Sequence, residues 1–274
     1  MSRAAGNGAG KAAPAFLSER LRTVFSLVPP SDLAADIGCD HGQLAIALVE
    51  AGTARRAVAS DLRMGPLSRA EEAVRAAGLA DRIDCRLGDG LSALAPGEAD
   101  TVIIAGMGGL LMKRILAAGR EVLESVKTLV LSPHRDVPEI RAFLPEAGFR
   151  ITEEKICSDA GKYYFVLKAV REAQAEACGT VEGPAAEALP GMTEKTRLEK
   201  EFGLLIYGED PVFLAWLREE QEKADALIRK LGSTPSADGE NEERGLSGAR
   251  MEALKRIRAR RLDLGKAEAM IRRT

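Results

Sequence analysis

A glycine-bounded acidic segment gives the clearest indication of chemistry in this chain. The letters DIGCDHG occupy residues 36–42 and overlap the end of an apolar run at 33–37. Gly38 and Gly42 permit a tight turn in which a ligand approaches the backbone at the carboxyl end of a strand, and the next helix points its N-terminus at that ligand. The spacing lacks one early glycine of the dinucleotide fingerprint and begins with an acid, Asp36. It therefore favours a nucleoside with a cationic amino-acid tail over a pyrophosphate.

Two further acids stand where the next two strands are expected to end. Asp61 closes the second apolar run, a position from which a carboxylate can accept hydrogen bonds from both hydroxyls of a ribose. Asp89 lies between Gly88 and Gly90 after the third run, where it can accept a hydrogen bond from an adenine amino group. Strand-end aspartates are also common turn formers, so each alone has an ordinary structural explanation. Together with Asp36, these two acids predict a binding site for S-adenosylmethionine.

Another glycine-rich segment closes the fourth apolar run. It reads AGMGG and contains Ala105, Gly106, Met107 and Gly108. Its three glycines leave room for a planar base or a backbone contact beside a methyl donor, although a flexible turn would have the same composition. The chain lacks the Asn/Asp-Pro-Pro-Tyr loop of many exocyclic-amine methyltransferases. This absence argues against an exocyclic amine as the acceptor.

Such sites require strands and helices that alternate, and the hydropathy pattern predicts them. Apolar runs lie at 33–37, 57–61, 83–87, 101–105 and 128–132, with helical periodicity at about 16–28, 42–51, 65–77, 109–118 and 137–147. The last two runs, at about 149–157 and 162–170, are separated by only four residues and therefore form an antiparallel hairpin. We expect an α/β fold with a Rossmann-like class I methyltransferase sheet, parallel except for this terminal hairpin.

The rest of the chain predicts flexible segments and a helical extension. The expected divisions are a disordered N-terminus (1–15), an S-adenosylmethionine-binding methyltransferase domain (16–170), a linker (171–195) and a helical coiled-coil domain with a flexible loop (196–274, loop 232–248). The helical extension contains two stretches with a/d spacing of apolar residues, which predict an antiparallel coiled-coil hairpin. Gln221 interrupts one seam, and Arg261 and Glu268 interrupt the other.

Composition excludes several classes of protein. The chain is 46% hydrophobic and 29% charged, which suffices for a buried core, but it contains no apolar window long enough for a membrane span or a secretory signal. Its four cysteines are far apart without a CxxC pair, and its two histidines cannot form a His-rich metal site. We therefore expect a cytoplasmic globular protein that requires no metal.

The net charge of −2 conceals a basic C-terminal stretch. Residues 249–274 carry nine Lys or Arg side chains against three Asp or Glu. A basic helix on a nearly neutral protein can hold a polyanion, although a solvated helix face would have the same composition. Arg256, Arg260 and Lys266 are the candidate contacts to such a polyanion.

The chain resembles a known family through five motifs in a fixed order. They are DIGCDHGQLA, ASDLRMGPLSRA, RLGDGL, IAGMGG and GKYYFVLKA, and a helical extension follows them. These motifs are similar to those of the bacterial tRNA (adenine-22-N1)-methyltransferases of the TrmK type, over about residues 16–231. The resemblance implies a Rossmann-like catalytic domain, a C-terminal coiled coil, S-adenosylmethionine as the methyl donor and tRNA as the acceptor. Two departures are Cys39, where a small hydroxyl residue is more usual, and the Ser132-Pro133-His134 triplet, where a Gln-Pro-Asn-like triplet is more usual.

Carried over by position, the resemblance also implies the site residues. The donor pocket would contain Asp36, Gly38, Cys39, Asp40, His41, Asp61, Leu62, Gly88, Asp89, Gly90, Ala105, Gly106, Met107 and Gly108. Arg20, in the segment LSERL, would lie beside this pocket and contact the tRNA. Asp40 and His41 are the candidate catalytic residues.

The chemistry of the acceptor then constrains the mechanism. Adenine N1 carries a lone pair and no proton, so its attack on a methyl group needs no general base, and catalysis rests on positioning and electrostatics. Because N1 lies on the Watson–Crick edge, the base must be unpaired or flipped out. Tyr163 and Tyr164 are candidate stacking residues, with strand packing as their ordinary explanation. His134 stands at a strand end near the active face, with a plain turn residue as its equal alternative.

Other functions fit parts of this pattern. A nicotinamide dehydrogenase would share the strand–turn–helix, and a non-catalytic RNA-binding module would bind tRNA without the donor. A methyltransferase for another nucleic-acid base or for a small molecule would share the whole donor site. The pattern leaves the oligomeric state open.

Overall fold

The computed structural model describes residues 13–172, 193–232 and 248–272. The described residues belong to two compact units, of which the first ends before Pro190 and the second begins there. The sequence predictions for 1–12, 173–192 and 233–247, which concern disorder, a linker and a loop, lie outside the described residues.

The first unit is built on a seven-stranded sheet. Its strands are β1 (Ser31–Ile37), β2 (Ala54–Asp61), β3 (Ile83–Leu87), β4 (Thr101–Met107), β5 (Thr128–Pro133), β6 (Phe149–Asp159) and β7 (Lys162–Arg171). The strand order is β3-β2-β1-β4-β5-β7-β6. The first five strands run parallel, and β7 runs antiparallel to both β5 and β6. This topology confirms the predicted sheet and its terminal hairpin.

Helices cover both faces of this sheet. They are α1 (Glu19–Leu27), α2 (Gln43–Glu50), α3 (Met64–Ala76), α4 (Gly109–Ala118), α5 (Arg120–Leu123) and α6 (Val137–Glu146). One buried cluster joins α1, α2 and α3 to the sheet through residues such as Val24, Leu48 and Ala59. The other joins α4 and α6 to the opposite face through Met112, Leu116 and other apolar residues. The short helix α5 and a 3₁₀ turn at Gly90–Ala93 were not predicted, because single turns leave no periodicity to detect.

The sheet changes direction between β1 and β4, and this change creates a crevice. Ile37 at the end of β1 pairs with Ser60 of β2 on one side and with Ile104 of β4 on the other. The connections from β1 and from β4 therefore leave the same edge towards opposite faces. Ligands of open α/β sheets bind at such a switch point, outside the carboxyl ends of the strands.

The described residues of the second unit form helices. It contains α7 (Glu194–Phe202), a 3₁₀ turn (Gly203–Tyr207), α8 (Pro211–Gly232) and α9 (Gly248–Ile271). Helices α8 and α9 are antiparallel, since Gln221 Nε2 donates to Glu268 Oε2 at 3.0 Å while Arg250 Nε, near the start of α9, donates to the backbone oxygen of Leu231 at 2.9 Å. The polar residues that interrupt the predicted seams thus pair with polar partners of the facing helix. Helix α7 and its 3₁₀ turn were not predicted.

The described residues also bear on the predicted absence of membrane segments and metal. No described helix combines the length and the apolar content that crossing a bilayer requires. Within the same ranges, no group of three His, Cys, Asp or Glu side chains is arranged to hold a metal ion. The cytoplasmic location and the independence from metal stay predictions.

Candidate functional site

A cavity of about 670 Å³ opens at the carboxyl edge of the sheet, at the switch point between β1 and β4. Thirteen of the fourteen predicted donor-pocket residues line it: Asp36, Gly38, Cys39, Asp40, His41, Asp61, Leu62, Gly88, Asp89, Gly90, Ala105, Gly106 and Met107. Gly108 does not line the cavity and instead caps the N-terminus of α4. The three strand-end acids are therefore brought together as their sequence positions predicted.

The floor of the cavity is the tight turn after β1. The backbone N–H groups of Gly38 and Cys39 both donate to the carbonyl oxygen of Ser60, at 2.8 and 2.9 Å. Gly38 adopts a φ of +78°, and a methyl group on its Cα would lie 2.3 Å from Cε of Met107. Glycine adopts this conformation without strain and leaves the Met107 side chain in place, so the turn and the end of β4 enclose the same space.

Asp36 is the most perturbed acid of the site. It is buried, and burial raises the pKa of its carboxyl to about 7, an effect opposed by the positive charge of Arg20 and reinforced by the negative charge of Asp61. A cation bound near Asp36 would favour the ionised carboxylate and so be bound more tightly in return. A buried carboxyl with such a shift at a cavity wall is characteristic of functional sites.

Asp61 and Asp89 occupy two different environments at the ends of their strands. Asp61 is buried, and its Oδ1 accepts a hydrogen bond from the backbone N–H of Arg63 at 2.9 Å, which fixes the orientation of the carboxylate. Asp89 is exposed, and the hydroxyl of Ser92 accepts from its backbone N–H at 3.1 Å. A local hydrogen bond thus fixes the carboxylate of Asp61 and the backbone of Asp89.

Asp40 and His41 lie at the exposed mouth of the cavity. Asp40 has a φ of +52°, a left-handed conformation that is uncommon for a residue other than glycine. Its carboxylate lies 3.6 Å from Nε2 of His41 and 3.9 Å from Nη2 of Arg69. The structure therefore places both candidate catalytic residues on the cavity, beside a cation and without burial.

One wall of the cavity brings together residues from distant segments, and sequence reasoning named these residues without predicting their contacts with one another. We call it the Arg20–His134 wall, and it consists of Arg20, Gly106 and His134, with Tyr164 behind them. A methyl group on Gly106 would lie 3.5 Å from Nη1 of Arg20 and 3.7 Å from Nε2 of His134. The guanidinium of Arg20 lies over the Tyr164 ring at 5.6 Å from its centroid, and Nη1 makes no hydrogen bond with any described residue. Arg20 lies beside the donor residues, as predicted.

Further lining residues come from the helices α4 and α2. Leu111, Arg114 and Ile115 of α4 line the cavity, as do Gln43 and other residues at the start of α2. Leu111 and Arg114 are exposed at the opening. The first turns of helices that begin at glycine-rich loops were the available sequence indication, because such turns face the ligand.

The three basic residues assigned to the polyanion contact are paired within the helical unit. Nε of Arg256 lies 3.5 Å from Oε1 of Glu252, and Nζ of Lys266 lies 2.5 Å from Oε2 of Glu194. Arg260 forms an ion pair with Glu201. These acids neutralise part of the basic surplus that the sequence of α9 alone suggests.

Comparison with known proteins places the chain in a family. A family model described as a methyltransferase domain matches residues 17–167. The tRNA (adenine(22)-N(1))-methyltransferase of Bacillus subtilis (strain 168) is 32% identical over 241 residues, which cover 88% of this chain and 96% of that protein.

Solved structures agree in fold over nearly the whole length. The B. subtilis m1A22 tRNA methyltransferase TrmK has 28% identity and a TM-score of 0.72, with 92% of this chain and 98% of that chain covered. A Streptococcus pneumoniae protein solved in complex with S-adenosyl-L-methionine has 28% identity and a TM-score of 0.70, with 92% and 100% covered. The motifs, the sheet and the cavity have the same explanation: this chain belongs to the tRNA (adenine(22)-N(1))-methyltransferase family.

Proposed function

We propose that this protein transfers a methyl group from S-adenosylmethionine to N1 of adenine 22 in tRNA. The observation that carries the proposal is the cavity at the switch point, where Asp36, Asp61 and Asp89 stand at three consecutive strand ends. The names of its relatives support the acceptor, since a protein 32% identical to this one is a tRNA (adenine(22)-N(1))-methyltransferase.

The donor set fits S-adenosylmethionine chemically. The molecule carries a cationic amino-acid tail, a ribose and an adenine, and it supplies an electrophilic methyl group on a sulfonium. Asp36, buried beside the Gly38 turn, would bind the cationic part, and the fixed carboxylate of Asp61 would accept from the ribose hydroxyls. Asp89 would accept from the adenine amino group, and the exposed Leu62 would cover its ring.

The protein's part in the reaction would be placement rather than proton transfer. Adenine N1 has no proton to lose, so no residue is needed as a general base, and a positive charge develops on the base as the methyl group arrives. Asp40 and His41 lie at the cavity mouth, where the Asp40 carboxylate would stabilise that charge. Alignment of two reactants can lower the activation barrier by up to about 7–11 kcal/mol.

The helical unit would bind the tRNA backbone. Arg256, Arg260 and Lys266 form ion pairs with Glu252, Glu201 and Glu194 respectively. Each would contact a phosphate while it keeps its acidic partner. Lys255 and Arg258 of α9 are exposed and form no ion pair with any described residue. These two side chains would contact phosphates without breaking an ion pair with a described residue.

Analysis of modified nucleosides tests the proposal directly. Transfer RNA from a strain lacking this protein should lack 1-methyladenosine at position 22, and the purified protein with S-adenosylmethionine should restore it, with divalent ions chelated and the tRNA folded. Methylation at another position, or of a small molecule only, would contradict the proposed acceptor. Thermal stabilisation by NADH but not by S-adenosylhomocysteine would contradict the proposed donor.

A further inference from the structure

The backbone and the ring of His134 are each fixed by a contact with a neighbouring strand. Its backbone N–H donates to the carbonyl oxygen of Met107 at 2.9 Å, which ties the end of β5 to the end of β4. Its ring meets the Tyr164 ring edge to face, with centroids 5.5 Å apart and an interplanar angle of 64°. Its Nε2 is directed towards Gly106, where the absence of a side chain leaves the cavity open. A side chain at the end of a strand, fixed in this way, is placed to contact a ligand in the cavity.

The surroundings of His134 keep its imidazole neutral at pH 7. Partial desolvation lowers its pKa below the ordinary value, and the positive charges of Arg20 and Lys162 lower it further. A neutral imidazole carries one nitrogen that accepts a hydrogen bond and one that donates. Arg20, the other polar side chain of the wall that lines the cavity, can only donate. The imidazole is therefore the hydrogen-bond acceptor among the wall side chains that line the cavity.

A base that presents N1 for methylation presents a second group beside it. The 6-amino group of adenine adjoins N1 on the same edge, so an acceptor that binds the amino group also fixes the position of N1. Guanine has a carbonyl oxygen at that place, which cannot donate, and unsubstituted purine has only a hydrogen. A site built to accept from an amino group discriminates against analogues that lack it, because its own polar group is then left unpaired.

We propose, resting on the proposed function, that His134 determines specificity for adenine by accepting a hydrogen bond from the 6-amino group of the acceptor base. Gly106 provides the space for the base, and Tyr164 holds the imidazole in orientation from behind. Arg20, whose Nη1 has no partner among the described residues, supplies a donor to the same pocket.

The test compares two acceptors and three proteins. The acceptors are tRNA with adenosine at position 22 and ligated tRNA with purine riboside there, which keeps the N1 lone pair but lacks the amino group. The proteins are the wild type, His134→Ala and His134→Asn, of which Asn retains a carbonyl acceptor. The quantity measured is the ratio of kcat/KM for adenosine to kcat/KM for purine riboside, so that the Ala variant reports the intrinsic difference between the bases.

The wild-type ratio should exceed that of His134→Ala by about tenfold or more, with the loss confined to adenosine and partly restored by His134→Asn. Affinity for S-adenosylhomocysteine, measured by calorimetry, should be the same in all three, which would also show that the variants are folded. Equal ratios in the wild type and His134→Ala would overturn the assignment of His134. A wild type that methylates no adenosine at position 22 would instead overturn the proposed function, and with it this inference.

Discussion

The buried carboxyl of Asp36 lowers the stability of the folded protein at neutral pH. Because the folded protein raises the pKa of this carboxyl to about 7, the folded state retains a proton that the unfolded chain releases near pH 4. As pH rises through this interval, the unfolded state is increasingly favoured, and above pH 7 the full penalty applies. A shift of this size corresponds to up to about 4 kcal/mol.

Asp36→Asn should therefore stabilise the protein without ligand and weaken donor binding. Its melting temperature should exceed that of the wild type most above pH 7, and the difference should shrink as pH falls towards 4, as followed by calorimetric melting across this range. Asp32→Asn, an exposed acid on the same strand, controls for the loss of one negative charge. A gain that is independent of pH would show that Asp36 does not carry the penalty.

Asp61 should carry a large share of donor affinity. It is buried with its carboxylate oriented by the backbone of Arg63, so a hydrogen bond from a ribose hydroxyl would be charge-assisted and shielded from water. Asp61→Ala should weaken S-adenosylmethionine binding by about 10- to 100-fold, since such a bond is worth roughly 1.5–3 kcal/mol. Calorimetry measures this directly, with the exposed Asp81→Ala as the matched variant. Unchanged affinity would remove Asp61 from the ribose site.

The turn between β1 and α2 should tolerate a methyl group for folding but not for binding. Gly38 and Gly52 both have positive φ, +78° and +69°, so alanine at either position costs roughly 1–2 kcal/mol of backbone strain. At Gly52 nothing lies within 4 Å of the added methyl group, whereas at Gly38 the end of the Met107 side chain must move. Met107 is flexible and lines the cavity, so the displaced chain would occupy space that the donor needs.

Gly38→Ala and Gly52→Ala should thus have similar melting temperatures, while only Gly38→Ala loses donor affinity, by about tenfold or more. Thermal melting and calorimetric titration with S-adenosylhomocysteine separate the two effects. Equal donor affinities in the two variants would mean that Met107 moves away from the site without consequence.

The ends of the parallel strands could be read from the sequence because each combines a buried apolar run with Gly or Asp punctuation. These local patterns located Asp36, Asp61 and Asp89. The contacts within the Arg20–His134 wall could not be predicted in this way, because they join distant segments. The backbone N–H of Arg20 donates to Oδ2 of Asp159, 139 residues further along the chain.

Sequence patterns also failed to predict contacts between distant segments in the helical extension. Its seams were visible as apolar spacing, and the structure pairs Gln221 with Glu268 and Arg261 with Asp225. The ion pairs of Arg260 with Glu201 and of Lys266 with Glu194 join α9 to α7, a helix that showed no clear periodicity. A count of charges along α9 therefore overstated its unpaired positive charge.

The two units should separate donor binding from tRNA binding. The sheet is complete at Arg171, and the cavity is lined entirely by residues of the first unit, so a 1–172 fragment should fold and bind S-adenosylmethionine with nearly full affinity. It should lose most tRNA affinity and methyl transfer, because the basic helix is absent. Calorimetry and filter binding measure the two activities. A fragment that methylates tRNA normally would assign the helical unit a purely structural role.

The contribution of α9 to tRNA binding can be measured separately if the basic residues to be substituted are chosen to have no ion-pair partner. Charge reversal at Arg260 and Lys266 would place acids against Glu201 and Glu194, so a loss of binding there would be mixed with a loss of helix packing. Lys255 and Arg258 avoid this, since both are exposed and neither is ion-paired with a described residue. Their double reversal to Glu should leave the melting temperature unchanged and weaken tRNA binding by about tenfold or more at physiological salt.

Salt dependence provides the second measurement on this variant. Wild-type affinity should fall steeply between low and physiological salt, and the double variant should show a shallower slope, because each phosphate contact that is lost removes about one released counterion. Donor affinity should not change, which serves as the internal control. If filter binding shows the same affinity and the same slope for both proteins, the exposed cations of α9 do not contact tRNA, and the helical unit acts by supporting or pairing the catalytic unit instead.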